Sequence, residues 1–236
     1  MLKENDDHMK LFVIEGVDGA GKSTQIKLLK EFFSEKGYNC EYLHFPRTEA
    51  PYFGELIARF LRGEFGKLGD VDPYLVAMLY AGDRKDASDM LSRWLYEDKI
   101  VLLDRYTYSN IAYQCAKLED KQSQDRLREW ILNLEFEHFN IPKPDLNIFL
   151  DVPFAFTEKK LNSSRTGNDR SYLNGSTDIH EESMAFQKKV RDIYLDVAGS
   201  DKGLEVVNCS SSDDEMLPPG EIFKLILKIL MNRNLI

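Results

Sequence analysis

The nine residues from Gly16 to Thr24, GVDGAGKST, constrain the fold of this chain more than any other stretch. They fill the pattern Gly, four residues, Gly-Lys-Ser/Thr. They stand between an apolar run, Leu11 to Glu15, and a helical pattern over Thr24 to Glu35 carried by Ile26, Leu28, Leu29, Phe32 and Phe33. A strand, a glycine-rich loop and a helix start, in that order, turn backbone N–H groups and the helix N-terminus toward one point and favour an anion there. Gly16, Val17, Asp18, Gly19, Ala20, Gly21, Lys22, Ser23 and Thr24 are therefore expected to cradle the phosphates of a nucleotide. Lys22 would reach the β- and γ-phosphates, and Ser23 would offer its hydroxyl to Mg²⁺. A chance lysine in a glycine-rich turn is the bland alternative, and the strand-loop-helix setting weighs against it.

Further apolar runs recur at Cys40 to Phe45, Ile100 to Asp104, Leu146 to Asp151 and Leu204 to Asn208. Helical patterns separate them. Asp72-Pro73 supplies an N-cap and a first-turn proline for a helix reaching about residue 97, either continuous or with a break. Others are expected near 108–117, at 121–137, after Pro153, from Glu181 to Ala198 and at the end of the chain. Strands alternating with helices argue for one α/β domain, a five-stranded parallel sheet flanked by helices on both sides. Residues 1–9 read as a polar tail. The Ser-, Asn- and Gly-rich stretch at about 162–178 reads as a mobile loop.

Composition narrows the partners. With 236 residues and a formal charge of −9, the chain is not expected to carry a nucleic-acid surface or to favour an anionic membrane. No run approaches the length of a bilayer span, and the polar start is not a secretory signal. Three cysteines without CxxC spacing suggest free thiols in a reducing compartment, hence a cytoplasmic protein. Four scattered histidines give no His- or Cys-based metal cluster. Absence of N-K-x-D argues against a GTPase, and the third strand ends LLDRY rather than Asp-Glu.

Four more segments complete an ordered set: FPR (Phe45 to Arg47), LYAGDR (Leu79 to Arg84), DRYTYSNIAYQ (Asp104 to Gln114) and PKPDLNIFLDVP (Pro142 to Pro153). Together with GVDGAGKST, over roughly residues 10–200, the chain resembles the thymidylate kinases, P-loop nucleoside monophosphate kinases. The resemblance implies ATP as phosphoryl donor, Mg²⁺, dTMP as acceptor and a homodimer. It implies that Arg47 and Arg105 clamp the dTMP phosphate. Asp104 would orient arginines or act through water on Mg²⁺, and Asp18 would contact the sugar 3′-hydroxyl and the metal shell. Phe45, Tyr80, Arg84, Asn110, Tyr113, Gln114 and Glu181 complete the expected acceptor site. The loop at 162–178 matches the family's lid, with Arg165 and Arg170 both open as its catalytic arginine because Gly19 stands where some members carry one. Without the resemblance, Arg105 could pair with Asp104, Asp18 could cap loop N–H groups, and Tyr113 could be plain core. A deoxynucleoside kinase acting on thymidine itself, and a nucleotide-dependent switch without catalysis, are the competing readings.

The stretch LYAGDR sets Tyr80 and Arg84 four residues apart on a helix, where they share a face. Leu75, Met78, Leu79 and Gly82 share another face, expected to pack on the sheet. Periodicity puts Tyr80 and Arg84 with Val76, Ala87, Leu91 and Leu95, which leaves Arg84 on an apolar face without a partner. By resemblance, Tyr80 stacks on the thymine ring and Arg84 donates to a carbonyl oxygen of the base.

Overall fold

The computed structural model describes residues 10–162, 173, 178–179, 184–212 and 215–236. The tail at 1–9, most of the expected lid, and Arg165, Arg170, His180 and Glu181 lie outside the described residues. Five strands, β1 (Leu11–Glu15), β2 (Cys40–His44), β3 (Ile100–Asp104), β4 (Leu146–Asp151) and β5 (Leu204–Asn208), form one sheet in the order β2-β3-β1-β4-β5. Every pairing is parallel. Helices occupy the connections: α1 (Lys22–Glu35), α2 (Phe53–Leu61), α3 (Pro73–Tyr96), α4 (Thr107–Cys115), α5 (Lys121–Leu132), a π-helical turn (Asn133–His138), α6 (Phe154–Asn162), α7 (Met184–Ser200) and α8 (Pro219–Asn232).

The apolar runs of β1 and β3 are buried at every position. That is why they read as continuous rather than alternating: both faces of a parallel sheet are covered. Phe12, Ile14 and Leu102 cluster with Ile26, Leu29 and Phe33 of α1. Leu11, Val13, Val101 and Leu103 cluster instead with Ala87 and Leu91 of α3. Each such side chain contributes about 1.5–3 kcal/mol on full burial. The sheet is thus the middle of three layers. The chain leaves β1 toward β2 on one side and later reaches β4 on the other. The carboxyl ends of β1 and β3 therefore border the crevice where such sheets bind ligands.

Helix α3 begins as its sequence predicts, with Asp72 accepting from Tyr74 N (2.8 Å) and Pro73 in the first turn. It continues without a break to Tyr96. Its phase differs from the expectation. Leu75 and Met78 are 59% and 45% exposed, so that face does not pack on the sheet. The sheet is met by Ala87 and Leu91, on the face of Tyr80 and Arg84. Gly82 packs on α2 instead. A Cβ there would stand 2.2 Å from Cε1 of Phe53, so only glycine admits the ring. Helix α2 was not among the expected elements, although Phe53, Leu56, Ile57, Phe60 and Leu61 have helical spacing. The expected helix at 121–137 is likewise divided, with α5 ending at Leu132 and the π-turn following.

Candidate active site

The glycine-rich loop turns directly from β1 into α1. Gly19 (φ 80°) and Gly21 (φ 84°) adopt left-handed conformations that other residues rarely take, and Gly21 occupies the N-cap of α1. Lys22 folds back over the loop, its Nζ donating to the carbonyls of Val17 (3.2 Å) and Gly16 (3.4 Å). Burial, and then the Arg105 charge, lower its pKa to about 8, against the opposing pull of Asp104, Asp18 and Glu15. Ser23 and Thr24 are exposed at the first turn of α1.

Arg105 stands at the lip of this loop. Its φ of 68° is left-handed, a conformation that costs a non-glycine residue about 1–2 kcal/mol. Its N–H donates to Ile14 O (3.0 Å), which ties the turn to β1. The guanidinium reaches across to the loop: Nη2 donates to Asp18 Oδ1 (2.7 Å) and to Tyr113 Oη (3.2 Å), and Nη1 to Ser109 Oγ (3.1 Å). The partner of Arg105 is thus Asp18, not the adjacent Asp104. Burial works against the charge on Arg105, but Tyr113, Asp18 and other neighbours hold its pKa well above the usual arginine range. The Tyr113 hydroxyl in turn donates to Asp18 Oδ2 (2.8 Å), so its ring is both packed and hydrogen-bonded. Gln187 of α7, which sequence reasoning missed, donates to the same carboxylate oxygen (3.1 Å).

A buried acceptor steadies this assembly from beneath. Glu15, the last residue of β1, accepts from the backbone N–H groups of Tyr106 (2.9 Å) and Ser109 (3.2 Å) and from the Tyr194 hydroxyl (2.9 Å). Burial raises its pKa, and the Ser109 hydroxyl chief among its donors opposes the rise. Asp104 ends β3 beside His44 of β2 (Nδ1 to Oδ2, 3.4 Å). Burial would favour its neutral form, yet Lys22, His44 and Arg105 outweigh that and lower its pKa, keeping it a carboxylate. Its Oδ1 is buried with no hydrogen-bond donor.

The other expected residues gather on the α2–α3 side. Phe45 is buried with its ring 5.6 Å from that of Tyr106. Arg47 is anchored to α3: Nε donates to Asp83 Oδ1 (2.8 Å), and Nη2 to Asp83 O (2.9 Å) and Asp86 Oδ2 (2.6 Å). Tyr80 is half-buried beside Val76 and Ile57, and burial raises its pKa well above 10. Arg84 is not without a partner. It makes a buried two-pronged pair with Glu135 of the π-turn, Nε to Oε2 and Nη2 to Oε1, both 2.6 Å. Asn110 Nδ2 donates to Ala77 O (3.0 Å) and Glu135 Oε1 (2.9 Å). Asn110 Oδ1 and Gln114 Oε1 are buried with no donor. Among the described residues no cluster of three His, Cys, Asp or Glu suits a metal ion.

Glu135 was missed, yet a signal existed. Leu127, Ile131 and Glu135 are spaced by four, so a carboxylate continues a buried stripe. Gln187 left no comparable mark, since only the fold brings it to Asp18.

A glycine loop that gathers phosphate, faced by an arginine tied to that loop at the carboxyl edge of a parallel sheet, belongs to the P-loop phosphotransferases. Within that class the sequence relationships are specific. The thymidylate kinase family model matches residues 14–217. A probable thymidylate kinase of Thermococcus onnurineus is 37% identical over 211 residues, covering 86% of this chain and 91% of its own. Thymidylate kinase of Mycobacterium tuberculosis is 31% identical over 193 residues, covering 82% and 87%. The solved structure of the Candida albicans thymidylate kinase superposes with a TM-score of 0.69, covering 95% of this chain and 92% of that one. At 23% identity, that likeness speaks for the fold. This chain belongs to the thymidylate kinase family, and is a nucleoside monophosphate kinase.

Proposed function

We propose that this chain transfers the γ-phosphoryl group of ATP to dTMP, giving dTDP and ADP for dTTP synthesis. The observation that carries the reading is the Arg105–Asp18 pair. It joins the loop built for the donor's phosphates to the helix-lined cleft where an acceptor would sit. Phosphoryl transfer is chiefly positioning and charge neutralisation, so a fixed cation between two anionic nucleotides is what the reaction needs. In this reading residues 16–24 hold ATP, with Lys22 on its terminal phosphates. Arg105 takes the dTMP phosphate together with Arg47, whose Nη1 is not spent on Asp83 or Asp86. Asp18 and Tyr113 face the sugar, and Phe45, Tyr80, Arg84, Asn110 and Gln114 surround the base. Arg165, Arg170 and Glu181 complete the proposal from outside the described residues.

Mg²⁺ would neutralise phosphate charge during transfer. The residues fit it: Ser23 has a free-standing exposed hydroxyl at the start of α1, and Asp104 keeps a buried unpaired oxygen. Asp18 fits less well as a direct ligand, because its oxygens accept from Arg105, Tyr113 and Gln187. We further propose a homodimer, supported by the exposed Leu75 and Met78 on α3, and a cytoplasmic setting. For the latter, the three cysteines are free, and burial pushes the Cys115 and Cys209 thiols up to about 12. No helix among the described residues is long and apolar enough to cross a membrane.

The test is a panel of acceptors with ATP and Mg²⁺. ADP should form with dTMP. ADP formed with thymidine, AMP or CMP but not with dTMP would overturn the reading. ATP binding without turnover of any acceptor would favour a switch.

A further inference from the structure

Glu135 is fully buried, and two of the residues it holds, Arg84 and Asn110, belong to the proposed acceptor site. It lies in the π-helical turn Asn133–His138, where Phe139 N reaches back five residues to Leu134 O (2.8 Å). Such widened turns recur where a helix must aim one side chain at a site. The carboxylate accepts four hydrogen bonds, from Arg84 Nε and Nη2 (2.6 Å each), Thr107 Oγ1 (2.8 Å) and Asn110 Nδ2 (2.9 Å). Its two oxygens offer about four acceptor sites, so the set is filled. Three helical segments, α3, α4 and the π-turn, therefore meet on one side chain.

The consequence falls on Asn110. Its Nδ2 has two hydrogens, and two groups claim them: the Glu135 carboxylate and the Ala77 carbonyl (3.0 Å). Both partners only accept. The amide cannot be turned over without setting its oxygen against two acceptors, so Oδ1 must face the other way. There it is buried with no donor of its own. An amide oxygen left so is costly until a ligand supplies an N–H. The same carboxylate holds Arg84 by Nε and Nη2, which leaves Nη1 as the outward donor. An outward acceptor beside an outward donor matches a pyrimidine ring that carries N3–H next to a carbonyl, as thymine and uracil do. Cytosine presents the reverse, an acceptor at N3 next to an amino group.

We propose that Glu135 is the positioning residue for base selection: by taking one amide hydrogen of Asn110, while Ala77 O takes the other, and two hydrogens of Arg84, it fixes an acceptor-and-donor pair that admits oxo-pyrimidine monophosphates and refuses cytidylate. The inference rests on the acceptor site proposed above. Glu135→Gln substitutes a donor for one acceptor oxygen, and that donor must face Arg84 together with Thr107 or Asn110. Arg84 loses one of its two fixed bonds in either case, and Asn110 loses its own when the donor replaces Oε1.

The experiment compares kcat/KM for dTMP and dCMP, and KM for ATP, in the unaltered protein and in Glu135→Gln and Glu135→Asp. The dTMP-over-dCMP ratio should fall about tenfold or more in Glu135→Gln, mostly through KM for the monophosphate, with KM for ATP changed less than about twofold. Glu135→Asp, which keeps the carboxylate, should recover part of the ratio, a recovery that a merely space-filling role does not require. An unchanged ratio in Glu135→Gln with dTMP turnover intact overturns this inference alone. Absence of dTMP turnover in the unaltered protein overturns the acceptor assignment as well. A second arm needs no folded variant: dTMP methylated at N3 should bind the unaltered protein about tenfold or more weakly than dTMP. Equal binding would overturn the outward orientation of Asn110 Oδ1.

Discussion

Lys117, just past the end of α4, offers a sharp test of the electrostatics. Its Nζ is buried with no hydrogen-bond partner, and the contact it does make is with the Phe60 ring, 4.7 Å away. Burial lowers its pKa from an ordinary 10.5 to about 7. At about 1.4 kcal/mol for each tenfold change, holding this ammonium in the folded chain costs about 4–5 kcal/mol when it is protonated. The attraction of the ring, worth about 1 kcal/mol, offsets part of that cost. Lys117→Met keeps the length of the side chain and removes the charge. The expected gain at pH 7 is about 2–4 kcal/mol, allowing for the remaining exposure of the stem, or about 5–10 °C in Tm for a chain of this size. The sign with pH follows from a folded pKa below the unfolded one. Below about pH 7 the amine is charged in both states and the cost is full. Between pH 7 and 10.5 the folded form sheds its proton first, so the cost fades and then disappears. Urea denaturation of both proteins from pH 6 to 10 should therefore show a gain that shrinks to less than about 1 kcal/mol by pH 10. A gain that is constant with pH, or a loss at pH 7, would refute the reasoning.

Other consequences can be measured directly. Gly82→Ala would drive a Cβ into the Phe53 ring and should cost about 1–3 kcal/mol, read as a lowered urea midpoint. Lys22→Ala should abolish phosphoryl transfer; full turnover would remove Lys22 from its assigned role. Because Lys22 titrates near 8 beside Arg105, phosphate arriving next to it should raise its pKa, so nucleotide binding at pH 8.5 should take up protons. Calorimetry in buffers of different ionisation enthalpy would detect this. For the homodimer proposed above, replacing both Leu75 and Met78 by Lys should leave the helix intact and shift sedimentation toward the monomer; an unchanged sedimentation coefficient would remove this face from the interface.

The parts of this molecule fixed by local physics could be read from its sequence. The strand β3 announces itself as five apolar residues because both its faces are covered, and Asp72-Pro73 marks the start of α3 by capping alone. The glycine loop was equally plain, since its glycines are needed by the backbone itself. The phase of α3 was harder. Leu75 and Met78 look like core by residue type, and only the three-dimensional packing reveals that they face outward. Gly82 reads as part of the same sheet-packing face, and only the fold brings Phe53 against it. The pairs that organise the site join residues far apart in the chain, Asp18 with Arg105 and Arg84 with Glu135. A carboxylate buried among helices resembles any other Glu in sequence, except that Glu135 continues the row of Leu127 and Ile131. Gln187 carried no such sign.

The left-handed turn at Arg105 has a consequence for anyone who would engineer this protein. Judged by backbone comfort alone, position 105 invites glycine or asparagine, and such a replacement would relax about 1–2 kcal/mol of strain. It would also remove the cation that ties the strand edge to Asp18. Searches that score backbone comfort alone would therefore discard the hydrogen bonds of this guanidinium to Asp18, Tyr113 and Ser109 together with the proposed phosphate-binding cation, and this one position should be held fixed while the rest of the chain is allowed to vary.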